Sequence, residues 1–130
     1  MNGLDIRSPA TIFDMAEYGG ARTALQWAIV KEMHAGGHSW LVRRGETVLG
    51  LFGVYPVDEH TGEAWFNVRP AASTSTLRLL RAIRLTLHDL PYREILTICI
   101  TPEGARVAAA AGFKRDAPCD MGEIWKWYSC

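Results

Sequence analysis

The segment ILTICITPEGARVAAAAGFKRD, residues 95–116, is the strongest indication of how this chain folds. Its first six residues, ILTICI, are almost entirely apolar, which is typical of a strand buried on both faces and makes Cys99 a core residue. Thr101 and Pro102 then match the N-cap and the first position of a helix, and Gly112 stands just past the end of that helix. The segment predicts a buried strand that leads directly into a short helix.

Upstream of this segment, residues 77–90 (LRLLRAIRLTLHDL) predict an amphipathic helix that ends before Pro91. Its apolar face carries Leu80, Ile83, Leu87 and Leu90, and another face carries Arg81, Arg84 and His88. With Arg78, the arginines fit a basic stripe for a phosphate or a nucleic acid, but a solvated helix face explains them more simply.

The middle of the chain, residues 40–68, shows the patterns of strands and tight turns. SWLVRR and TVLGLFGVYPV flank a Gly45-Glu46 turn, and EAWFNV follows the polar turn DEHTG at residues 58–62. These patterns predict a three-strand antiparallel meander. Gly50 and Gly53, inside the second strand, indicate a bulge or the close approach of another backbone.

The two ends of the chain supply the remaining elements. We predict a short strand at residues 4–7, helices over residues 11–20 and 23–35, and a final strand at residues 122–129. In the second helix the apolar residues at helical spacing are Leu25, Ala28, Ile29 and Met33. In the final strand Trp125 and Trp127 share one face; one face should pack on the core, and the other could line an acceptor pocket or a partner interface.

The composition limits the classes of protein that the chain can represent. Its 130 residues are 48% hydrophobic, enough for one domain over residues 1–130 with a buried core. Fourteen Lys and Arg balance fourteen Asp and Glu, which argues against nucleic acid or an anionic membrane as a partner. Neither a basic leader with an apolar run nor an apolar stretch of about 20 residues is present, so we expect a soluble, cytoplasmic protein.

Cysteine and histidine spacing does not favour a metal site. The three cysteines show no CxxC pair, and two glycines separate His34 from His38 where a helix would have to hold both. We therefore expect no metal ligands.

In this order of elements the sequence resembles the GCN5-related N-acetyltransferase superfamily. The most specific match is residues 95–116, which look like that family's strand, short helix and Gly-Phe pair. GLFGV, EAWFNV, the arginine-rich helix and AAGFKRD are also similar to small acetyltransferase-like proteins of tailed phages, some of them virion components. The resemblance implies an α/β (α+β) fold: a mixed, mainly antiparallel sheet with a central β-α-β unit and two splayed parallel strands.

The resemblance also implies a site for acetyl-CoA between the two splayed strands, residues 63–68 and 93–100. Its pantetheine arm would pair with the backbone of Trp65, Phe66, Asn67 and Val68. The pyrophosphate would lie on the turn formed by Arg69, Ala72, Ser73, Thr74 and Ser75, with Thr101 where many members carry Asn. Ala72 and Thr74 replace small, flexible residues of the family, so the hydroxyls of this turn would either bind phosphate or cap the helix.

Glu63 stands where many members of the family place a general base, with Glu59 and His60 as substitutes in the preceding turn. A base is needed because an ammonium group has no lone pair with which to attack a thioester. The alternative interpretation is that DEHTGE is an ordinary solvated turn. Ala108 replaces the family's usual general acid, a Tyr.

Three functions are compatible with these residues. The first is an acetyl-CoA-dependent N-acyltransferase in which an unknown amine attacks directly in a ternary complex. The second is a phage or prophage structural or interaction protein that keeps the fold without the chemistry, with a homodimer or phage-particle partner and a place in the virion. The third is a regulator that senses acyl-CoA without transferring the acyl group.

Overall fold

A seven-stranded sheet with helices on both faces makes up residues 4–128, the part of the chain that the computed structural model describes apart from the side chains of Ser73 and Thr74. The expectation that the last strand reaches residue 129, and those for the Ser73 and Thr74 hydroxyls, lie outside the described residues. The elements are β1 Asp5–Arg7, α1 Ile12–Gly19, α2 Ala24–Gly36, β2 His38–Arg44, β3 Thr47–Pro56, β4 Thr61–Val68, a 3-10 turn Pro70–Thr74, α3 Thr76–His88, β5 Glu94–Cys99, α4 Pro102–Ala110, β6 Lys114–Cys119 and β7 Gly122–Tyr128.

The strand order is β1-β2-β3-β4-β5-β7-β6. Every neighbouring pair is antiparallel except β4 and β5, which are parallel and joined by the crossover helix α3. The predicted meander, the central β-α-β unit and the mixed, mainly antiparallel sheet are therefore confirmed.

The helices lie on opposite faces of the sheet. One core cluster joins the sheet to α3 and α4 through residues such as Leu79, Ile83 and Ala108. A smaller cluster on the other face joins Met15 of α1 to Leu41 and Leu51, with Val30 and Met33 of α2 packed against it. Trp127 lies in the larger core and Trp125 packs against it, so the tryptophan face of β7 is the one that turns inward.

The predicted apolar residues of α2 are mostly not the ones that meet the sheet. Leu25 and Ile29 are 71% and 50% exposed, whereas Val30 packs against the sheet together with Met33, which was predicted. Apolar residues occur on most sides of this helix, so periodicity could not show which side would meet the sheet.

Strand β6 was not predicted. It is rich in charged residues and contains Pro118, both of which favour an edge position, and only pairing with β7 makes it a strand. An ion pair with β7 helps to hold it, since Lys126 Nζ lies 3.6 Å from Asp116 Oδ2; the same ammonium group lies 2.8 Å from Glu94 Oε1 of β5.

Both interpretations of the β3 glycines apply. A register shift lies between Val42 and Arg43 of β2, opposite Gly50. At Gly53 a Cβ atom would come within 2.5 Å of the Trp65 indole and 2.6 Å of the His38 carbonyl oxygen. Gly53 therefore lets the Trp65 ring lie flat across β3.

Candidate functional site

Strands β4 and β5 separate partway along their length. They pair through Thr61 with Glu94, Gly62 with Ile95 and Glu63 with Leu96. Beyond Glu63, β4 continues to Val68 without pairing to β5. The splayed parallel strands that the sequence predicted are thus present, and the gap between them begins immediately after Glu63.

The backbone of β4 directs hydrogen-bonding groups into this gap. The Arg69 amide donates to the Leu49 carbonyl at 2.8 Å, and the Thr61 carbonyl accepts from the Val57 amide at 2.8 Å, so odd-numbered residues of β4 face β3. Backbone groups alternate along a strand, so those of Phe66 and Val68 point toward the gap. An extended ligand with amide groups can pair with β4 there as an added strand.

A cleft of about 640 Å³ follows the gap. Of the predicted cofactor residues, Trp65, Phe66 and Val68 line it, together with Glu63. Asn67 instead turns its amide away, and its Nδ2 donates to the Tyr18 carbonyl at 2.6 Å. Thr101 caps α4 by accepting a 3.0 Å hydrogen bond from the Gly104 amide.

The three candidate bases have different positions relative to the gap. Glu63 is exposed and belongs to the last pair of residues before the strands separate. Glu59 and His60 lie in the turn before β4, at the opposite end of the paired segment, where their exposed side chains lie 3.5 Å apart. The geometry therefore favours Glu63 over its two neighbours as a group that could act in the cleft.

Two backbone amides of the turn between β4 and α3 already donate hydrogen bonds within the turn. Ala72 is buried and its amide donates to the Arg69 carbonyl at 2.9 Å, while the Ser75 amide donates to the Ala72 carbonyl at 2.8 Å. The Ser75 hydroxyl bonds to the Arg44 guanidinium and makes no cap hydrogen bond to α3.

Two arginines lie at this turn. The Arg69 guanidinium stacks 4.7 Å from the centre of the Tyr18 ring, and Arg44 reaches Ser75 from the end of β2. The sequence reasoning missed Arg44. It is 31 residues from Ser75 along the chain, and no local pattern indicates that contact.

Helix α4 forms the far wall of the cleft through Glu103, Gly104 and Val107. Ala108 stands at the position where the family resemblance places a general acid, and it is fully buried in the core. Cys99 is also buried, as predicted, and burial raises the pKa of its thiol above the ordinary value.

A second cavity, of about 220 Å³, lies on the other side of β4 beneath α1 and α2. Its walls include Met15 and Tyr18 of α1, Val30 and Met33 of α2, and Trp65 of β4. Trp65 lines both the cleft and this cavity, which makes the two spaces neighbours.

The described residues form neither a metal-binding cluster nor a membrane-spanning helix. Between residues 4 and 128, no three His, Cys, Asp or Glu side chains come together as a metal site requires. Within the same range no helix has the length and apolar character to cross a membrane.

No protein-family model and no curated protein sequence matches this chain. Solved structures of acetyltransferases nevertheless match it over nearly its whole length. N-acetyltransferase PseH of Campylobacter jejuni, in complex with acetyl coenzyme A, has a TM-score of 0.69 and 9% identity over 98% of this chain and 100% of its own. A GNAT family acetyltransferase of Elizabethkingia anophelis with acetyl-CoA bound has a TM-score of 0.70 and 11% identity over 98% and 99%.

The dodecameric spermidine N-acetyltransferase of Vibrio cholerae has a TM-score of 0.67 and 11% identity over 97% of this chain and 94% of its own. At identities this low, the structural match shows a shared fold and no more. The chain therefore has the fold of the GNAT acetyltransferases, as the sequence predicted.

Proposed function

We propose that this protein is an acetyl-CoA-dependent N-acyltransferase that transfers an acetyl group to an amine. The observation that carries the proposal is the gap between β4 and β5, with backbone groups of Phe66 and Val68 facing it and Glu63 at its closed end. The cleft of about 640 Å³ is large enough for an extended cofactor arm. Two acetyltransferases with this fold contain acetyl-CoA in their structures, which supports the same cofactor here.

Each part of the site has a role in this proposal. Within the predicted segment 65–68, the backbone groups of Phe66 and Val68 pair with the amides of the pantetheine arm, since those of Trp65 and Asn67 face β3. The pyrophosphate lies at the start of α3, where the helix dipole and the guanidinium groups of Arg69 and Arg44 favour an anion. Ser73 and Thr74 remain proposed phosphate ligands. The amides of Ala72 and Ser75 are already bonded within the turn, so their part is to shape it.

Glu63 acts as the general base. An alkylamine has a pKa of about 10, so at neutral pH it must lose a proton before its nitrogen can attack. The Glu63 carboxylate accepts that proton directly or through water. Bound acetyl-CoA would supply the activated acyl group as a thioester, whose carbon–sulfur bond breaks as the nitrogen–carbon bond forms and releases a thiolate. Solvent can protonate such a leaving group, which is why a buried Ala108 is compatible with catalysis.

The test is to change a single backbone donor in the gap. Val68→Pro removes the Val68 N–H but leaves the pairing with β3 intact, because that N–H does not face β3. We expect acetyl-CoA to bind about tenfold more weakly, as for the loss of one hydrogen bond. Isothermal titration calorimetry measures the change, and Val68→Ala, which shortens the side chain and keeps the N–H, is the matched control. Failure of the unmodified protein to bind acetyl-CoA at millimolar concentration would refute the proposal.

The second candidate is a non-catalytic relative, either an interaction protein with a homodimer or phage-particle partner or a sensor of acyl-CoA. The internal hydrogen bonds of the 3-10 turn favour it, because they remove two amides from the phosphate site. Absence of acetyl-CoA binding supports the interaction protein, whereas binding without turnover of any amine supports the sensor.

A further inference from the structure

The outer side of helix α2 exposes apolar side chains next to one another. Leu25 is 71% and Ile29 50% exposed, and they are four positions apart, so they share one face of the helix. Among residues 24–36, all of which the structure describes, none is fully buried. Isolated exposed leucines are ordinary on a protein surface, but neighbouring apolar residues on one helix face indicate a surface that another molecule covers.

An open groove runs beside these side chains. It has a volume of about 360 Å³ and is lined by Ala28, Ile29, Glu32 and Met33 of α2 and by Tyr55 of β3. The Tyr55 hydroxyl donates to Glu32 Oε2 at 2.6 Å, so the polar side chains at the groove bond to each other. The remaining walls are apolar and can accept a branched aliphatic side chain.

The charged residues on this side of α2 carry both signs. Arg22 is exposed and lies two positions before the helix, and Glu32 is exposed and lies seven positions after Leu25, on the same helix face. Lys31 projects from a different side, because successive helical residues are about 100° apart. An apolar centre with a cation at one end and an anion at the other is complementary to a copy of itself turned end to end, whereas a strongly charged partner would need a single sign.

Antiparallel packing of two α2 helices brings these groups together in pairs. With a two-fold axis level with residue 27, Leu25 lies opposite Ile29 of the partner subunit, and Arg22 lies opposite Glu32 of the partner subunit. The symmetry forms each of these contacts twice. Ala28 is one position from the axis and small enough to let the helices approach closely, so Leu25 of each copy reaches the groove of the other.

We propose that this protein forms a homodimer through α2, with the outer faces of two α2 helices packed antiparallel about a two-fold axis. The inference is independent of the proposed acyltransferase function. A helix of 13 residues is about 20 Å long, so the contact is smaller than a standard interface of about 1,600 Å². We therefore expect a dissociation constant in the micromolar range.

Sedimentation velocity measures this association directly. The 14.5 kDa chain should sediment mainly as a monomer at about 1 μM and mainly as a dimer at about 100 μM. Leu25→Glu places a carboxylate against an apolar side chain of the partner and should raise the dissociation constant at least tenfold. Leu85→Glu is the matched control: it makes the same change at a leucine of α3 that is 62% exposed on the opposite face of the sheet, and it should leave the dissociation constant unchanged. Circular dichroism checks that both variants are folded.

A charge exchange tests how the two helices are aligned. Arg22→Glu places like charges opposite each other and should weaken the dimer severalfold, as expected for an exposed ion pair. Combining Arg22→Glu with Glu32→Arg restores opposite charges and should bring the dissociation constant back toward that of the unmodified protein.

Three results would overturn the inference: a monomer at about 100 μM, equal effects of Leu25→Glu and Leu85→Glu, or a double variant that dimerises no more tightly than Arg22→Glu alone. None of them concerns acetyl-CoA binding, so the acyltransferase function stands or fails separately.

Discussion

Glu63 lies at the point where the last paired residues of β4 and β5 give way to the gap, with its side chain exposed. Glu59 and His60 belong to the same acidic stretch of sequence, but they lie at the other end of the paired segment. The family resemblance favours Glu63 in the sequence, but the three residues are at most four positions apart, so spacing alone does not distinguish them. Only the end of the β4–β5 pairing separates them, since it determines which side chain meets the cleft.

Replacement of Glu63 by Gln should abolish most of the turnover without changing the fold. Gln has the same shape but accepts no proton, so we expect kcat/KM to fall about 10²- to 10⁴-fold. Acetyl-CoA affinity should stay within a factor of two. Steady-state kinetics over a range of amine concentrations measures the loss, and Glu59→Gln in parallel tests the alternative base. An equal or larger loss in Glu59→Gln would contradict the assignment.

At the scale of elements, a side chain of β5 reaches β4 just beyond the last paired residues. Thr97 of β5 is 4% exposed, and its hydroxyl donates to the Ala64 carbonyl at 2.9 Å, one residue past the last paired position. Ala64 is an even-numbered residue of β4, so its carbonyl faces β5 and would otherwise be an unpaired buried acceptor. The hydroxyl therefore marks where the cleft begins.

Thr97→Val should destabilise the protein and alter the cleft together. Val has nearly the same shape as Thr but leaves the Ala64 carbonyl without a donor, so we expect the free energy of unfolding to fall by about 1–3 kcal/mol. Thr97→Ser keeps the hydroxyl and should lose less. Urea denaturation measures the stability of both variants. A Val variant as stable as the unmodified protein would show that water replaces the hydroxyl.

At the scale of the whole molecule, three carboxyl groups link stability to pH. Hydrogen bonds from Arg43, from the His60 amide and from Arg115 hold the pKa values of Asp5, Asp58 and Glu123, respectively, below their ordinary values. A lowered pKa contributes stability that is present above the unfolded value and lost as pH falls through the folded value.

We therefore expect the free energy of unfolding to be constant above about pH 5 and to decrease progressively below about pH 4. Urea denaturation between pH 3 and pH 7 measures this dependence. Asp58→Asn keeps an oxygen that can accept from the His60 and Thr61 amides but does not titrate, so it should weaken the decrease. An unchanged pH dependence in Asp58→Asn would exclude Asp58 as a contributor.

Much of the fold was predictable because its signals are local. Thr101, Pro102 and Gly112 mark the ends of α4 within a dozen residues, and the structure places its N-cap at Thr101 and its end before Gly112. The Gly45 turn likewise defines the β2–β3 hairpin, and Gly45 has the positive φ that such a turn requires. Alternation and helical spacing supplied the rest of the element order, apart from β6.

The sequence by itself determined the order of elements, the buried strand β5 and the residues that could act at the end of β4. Only the tertiary structure decided which face of α2 is buried, that β6 pairs as an edge strand, that Arg44 meets Ser75 and that the amides of Ala72 and Ser75 are bonded within the turn. The physical reason is the distance along the chain over which each kind of interaction acts. Capping, turn formation and periodicity act over a few residues, whereas pairing and burial join segments that are far apart along the chain.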